Sequence, residues 1–112
     1  MKVINVEKKP EEYGYCDLSA LSDYELERAE ASGCDLLIYW YASGSYEGSG
    51  EALLRKDGLW IYENLGHCSC YGPFDTTPSF DGAQTLADLE ARMSDELKGT
   101  CAELFKRARR FK

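Results

Sequence analysis

A chain of 112 residues, 44% hydrophobic and 12% aromatic, supplies one core of modest size and is too short for a second domain. No stretch approaches the roughly 20 consecutive apolar residues that span a bilayer, and Met1 to Val6 runs into the charged Glu7-Lys8-Lys9-Pro10-Glu11-Glu12 rather than an apolar signal core; these features predict a protein that stays in the cytoplasm. The net charge of −7 is unevenly divided, because residues 1–105 hold all 20 carboxylates against 8 Lys/Arg while Lys106 to Lys112 holds five bases, so the body repels nucleic acid and membrane and favours partners with a basic groove.

In chain order, Val3-Ile4-Asn5-Val6 reads as a short first strand ended by Pro10. Ser22-Asp23-Tyr24-Glu25 has capping-box spacing, with the serine hydroxyl placed to accept the Glu25 N–H and the Glu25 carboxylate placed to reach back. A helix from Asp23 to about Ala31 follows, closed by Gly33 in the left-handed conformation. Leu36-Leu37-Ile38-Tyr39-Trp40-Tyr41 is short, aromatic and bounded by Ser and Gly, as a largely buried strand is.

Ser43 to Gly50 reads as a flexible connection, and Ala52-Leu53-Leu54-Arg55-Lys56 as the next strand. Asp57-Gly58 supplies both positive-φ positions of a type I′ turn into Leu59-Trp60-Ile61-Tyr62. That turn sets Lys56 opposite Leu59, Arg55 opposite Trp60, Leu54 opposite Ile61 and Leu53 opposite Tyr62. One face, with Leu54, Ile61 and Leu59, should meet a helix; the other, with Leu53, Tyr62 and a stacked Arg55–Trp60 pair, is expected to be partly wet.

Gly66 to Asp75 has neither period and reads as a structured loop, continuing to Gln84. Thr85 is the expected N-cap of a final helix whose Leu86, Leu89, Met93, Leu97, Cys101, Leu104, Ala108 and Phe111 recur every three or four residues. Ser94 and Gly99 mark where that helix could bend or break. The fold class expected is therefore α+β: a small antiparallel sheet of three to four strands against a short N-terminal and a long C-terminal helix. The apolar stripe of the latter would serve its own sheet or a homodimer equally.

Five cysteines without an export signal point to free or metal-bound thiols. His67, Cys68 and Cys70 place three soft ligands within four residues, and zinc is the metal they would suit, with Cys16, Cys34 or Cys101 completing a tetrahedron. Against this, adjacent His67 and Cys68 diverge, and zinc sites usually use wider Cys spacings. A cysteine enzyme would need a base within hydrogen-bond reach, and His67 is the sole histidine. Gly44, Gly48 and Gly50 lack the Lys-Ser/Thr of a phosphate-binding loop. Residues 11–35 crowd eight carboxylates against Arg28, a row able to imitate a phosphate backbone and occupy a basic groove.

Gly44-Ser45-Tyr46-x-Gly48-x-Gly50, Lys56-Asp57-Gly58-x-Trp60 and Gly66-His67-Cys68-Ser69-Cys70-Tyr71-Gly72-Pro73 together resemble a set of small bacteriophage accessory proteins, over about residues 36–75. The resemblance implies an intracellular protein made during infection that binds and disables a host enzyme or defence complex, and it transfers no catalytic residue. The expectation is a non-enzymatic inhibitor or adaptor of a host protein. Its contact residues are placed on the acidic helix (Asp23, Glu25, Glu27, Glu30) and on the aromatic face and loop (Arg55, Trp60, Tyr62, Tyr71). The alternative is a zinc-stabilised module or a small cysteine- or metal-dependent enzyme centred on His67–Cys70.

Overall fold

The computed structural model describes residues 1–8, 17–43, 47–68 and 82–111, with residues 47, 67 and 68 described as backbone. One mixed sheet forms its middle layer. Strands β1 (Lys2–Asn5), β3 (Leu36–Ser43), β4 (Glu47–Lys56) and β5 (Leu59–Asn64) lie in that order, with the two-residue β2 (Asp17–Leu18) against β3 and β6 (His67–Cys68) against β4. Helix α1 (Asp23–Ala31) packs on one face, and α2 (Leu86–Ala91), α3 (Asp95–Thr100) and α4 (Ala102–Ala108) pack on the other.

The expected antiparallel sheet is corrected to a mixed one, since β1 runs parallel to β3, Lys2 opposite Leu36 through Asn5 opposite Tyr39. A parallel pair needs a crossover connection, and α1 lies in it. Helices on both faces explain why β3 is a continuous apolar run: Leu36, Ile38, Trp40 and Ala42 face α2–α4, while Leu37, Tyr39 and Tyr41 face α1.

The β4–β5 hairpin has the predicted register at all four pairs from Lys56–Leu59 to Leu53–Tyr62. Asp57 (φ 53°) and Gly58 (φ 77°) supply the turn. Beyond Asn64 the pairing continues without a slip, Gly48 opposite His67 and Glu47 opposite Cys68, so those two residues are strand rather than loop.

Two further expectations change. The Ser43–Gly50 connection is largely strand, because β3 runs to Ser43 and β4 starts at Glu47. Gly50 serves close approach: a Cβ there would lie 2.5 Å from the Trp40 carbonyl oxygen and 3.1 Å from the Leu65 Cβ. The long C-terminal helix is three short ones. Arg92 ends α2, and Ser94 starts α3 by accepting the Leu97 N–H at 3.2 Å. The chain turns again at Cys101. The apolar stripe survives both breaks, with Leu89, Met93, Cys101, Leu104 and Ala108 all buried.

Candidate functional site

Helix α1 is built as its sequence prescribes. Ser22 Oγ accepts the Glu25 N–H at 3.3 Å and Glu25 Oε1 accepts the Ser22 N–H at 2.9 Å, and Gly33 leaves at φ 100°. Leu26 and Ala29 turn toward the sheet. On the outer side Asp23, Glu27 and Glu30 are exposed at i, i+4 and i+7, one stripe of carboxylates. Beside it Tyr24 is 64% exposed, its ring 5.8 Å from the Arg28 guanidinium and its hydroxyl accepting from Arg28 at 3.3 Å. Glu25, a predicted contact residue, is half-buried and committed to the cap.

The aromatic face is not the wet surface expected. Leu53, Trp60 and Tyr62 lie in the core under α2–α4, with Trp60 6% and Tyr62 3% exposed. The predicted Arg55–Trp60 stack forms at 5.7 Å, but Arg55 is held from its other side by Asp35 at 3.1 and 3.4 Å. Together they line an open groove of about 650 Å³ with Gln84, Thr85, Leu86 and Phe111. On the α1 face Leu54 is buried as expected, while Leu59 and Ile61 are only half-buried.

A polar centre that the sequence reading missed sits between β4 and the C-terminal helices. Glu51 is 5% exposed and accepts from Trp40 Nε1 (3.2 Å), Tyr62 OH (3.3 Å), Thr100 Oγ1 (2.9 Å) and Cys101 Sγ (3.4 Å). The only sequence signal was an acid directly before the apolar run Ala52-Leu53-Leu54. Burial, and then the Glu51 charge, push the Tyr62 hydroxyl and the Cys101 thiol far above their ordinary ranges. Cys101 is thus a buried thiol that donates a hydrogen bond, without thiolate character at neutral pH.

Two cysteines proposed to complete a zinc site are separated by the sheet. Cys34 belongs to the α1 side and Cys101 to the α2–α4 side, so they cannot serve one ion. Among the described residues no group of three or more His, Cys, Asp or Glu is arranged to hold a metal. His67 and Cys68 are brought in as adjacent backbone positions of β6; Cys16, Cys70 and Tyr71 lie outside the described residues. No described helix is long and apolar enough to cross a membrane. Comparison with protein-family models, with curated proteins and with solved structures gave no match.

Proposed function

We propose that this protein is a non-enzymatic binding protein, an inhibitor or adaptor of the phage accessory type that its loop pattern resembles, and that α1 occupies a basic groove on a host protein. The observation that carries the reading is the exposed Asp23-Glu27-Glu30 stripe with the exposed Tyr24 beside it. At 1.5 Å per residue the stripe places a carboxylate about every 5 Å of helix axis, against one phosphate per about 3.4 Å of duplex axis on one DNA strand, a linear charge density of the same order that suits a groove built for nucleic acid. Tyr24 adds what charge alone lacks, a rigid amphipathic anchor of the kind that dominates interface energetics.

The Trp60–Tyr62 face serves this function less well than expected, because a partner would have to displace the C-terminal helices to reach it. The test is an affinity capture from nuclease-treated bacterial lysate with the parent and with the Asp23→Lys/Glu27→Lys/Glu30→Lys variant, which leaves the Ser22–Glu25 cap intact. A stoichiometric protein retained by the parent and lost by the variant is the expected result. Equal capture by both would remove α1 from the contact.

A further inference from the structure

The end of α4, across the sheet from α1, carries the opposite charge. Six cations gather around α4: Lys106, Arg107, Arg109 and Arg110 from the helix and its exit, Lys8 through its 3.0 Å ion pair with Glu103, and Lys2, whose ammonium lies 4.8 Å from the Phe111 ring centroid. Glu103 and Glu90 are the carboxylates paired with them, Glu90 to Arg109 at 3.2 Å. Lys106, Arg107 and Arg110 make no ion pair with any described carboxylate. The Lys8 hydrogen bond, and then the field of Lys8, Lys106 and Arg107, hold Glu103 below the usual carboxylate range, as a locally positive surface should.

The helix dipole does not account for this excess. A macrodipole leaves about half a charge at a C-terminus, which one cation satisfies, and α4 is seven residues long. We propose that the α4 end binds the phosphate backbone of a nucleic acid through Lys106, Arg107 and Arg110. These positions fall within about 6 Å of helix axis, a density suited to successive phosphates, and the two guanidiniums offer forks that match phosphate oxygens. A membrane surface fits less well, since Phe105 is 1% exposed and Phe111 is partly buried, leaving little apolar surface to insert. Exposed carboxylates share this side of the sheet, Asp88 on α2 and Asp95 and Glu96 on α3, so the positive surface is confined to the α4 end.

The test is fluorescence anisotropy of the full chain with a fluorescein-labelled 20-nucleotide single strand, as DNA and as RNA, and with the DNA duplex, from 25 to 200 mM KCl. Binding is expected to weaken with salt at a log–log slope of about −2 on single strands, the value for three neutralised phosphates. Lys106→Glu/Arg107→Glu/Arg110→Glu should weaken it by about tenfold or more at 50 mM KCl. Lys106→Ala/Arg110→Ala, which removes two exposed side chains, should lower the slope by about 1.4. Either variant must keep the parent circular dichroism spectrum. Absence of binding to all three probes at 25 mM KCl, binding indifferent to both variants, or binding confined to anionic phosphatidylglycerol vesicles would overturn the proposal.

Discussion

Glu51 and Glu63 are two carboxylates 12 positions apart with opposite fates. Both are nine-tenths buried, at 5% and 6% exposure, yet Glu51 has four donors while Glu63 Oε2 has no hydrogen-bond partner. A filled acceptor set makes Glu51 a tie between the sheet and the α3–α4 junction. Glu51→Gln swaps one acceptor oxygen for a donor facing donors, and should lower unfolding free energy by about 2–3 kcal/mol, read by urea denaturation. For Glu63, desolvation raises the carboxyl pKa to about 7, so the folded state holds a proton that the unfolded state releases near its ordinary range. Stability from this group is complete below that range and is lost as pH rises to about 7. Glu63→Gln should therefore match the parent near pH 4 and exceed it by about 3 kcal/mol at pH 8; identical pH profiles would refute the assignment.

At the level of elements, local chemistry was legible and long-range topology was not. The Ser22 capping box, the Asp57-Gly58 turn with its four cross-strand pairs, the Thr85 cap and the helix break at Ser94 all depend on residues within a few positions of one another. Parallel pairing of β1 with β3 depends on a contact 34 residues away, for which periodicity carries no signal. The same blindness misread Gly50 as flexibility, because only the nearby Trp40 carbonyl shows that the strand needs a missing Cβ there. Gly50→Ala should cost about 2–3 kcal/mol, as overpacking against backbone does, whereas Ser22→Ala should cost about 1 kcal/mol by loss of a cap. Thermal melts of the pair test that ranking. Of the candidate site, the acidic row of α1 was legible because a carboxylate stripe at i, i+4 and i+7 needs no tertiary information. Trp60 and Tyr62 were misplaced because nothing in a hairpin says which of its faces the distant C-terminal helices will cover.

For the whole molecule, carboxylates face outward on α1, while bases that pair with no described carboxylate gather at the end of α4 on the other side of the sheet, beside the carboxylates of α2 and α3. Screening lets each face act on its own partner at physiological ionic strength. Capture of the protein partner should accordingly weaken with salt in the parent, and the α4 triple reversal should leave that capture intact.

Backbone hydrogen exchange of the purified complex tests most directly whether α1 is the partner contact. Slowed exchange across residues 22–32 on complex formation, with the β4–β5 hairpin unchanged, is the predicted result. Unchanged exchange over 22–32 with new protection at the C-terminal helices or the hairpin edge would contradict it and place the contact on the opposite side of the sheet.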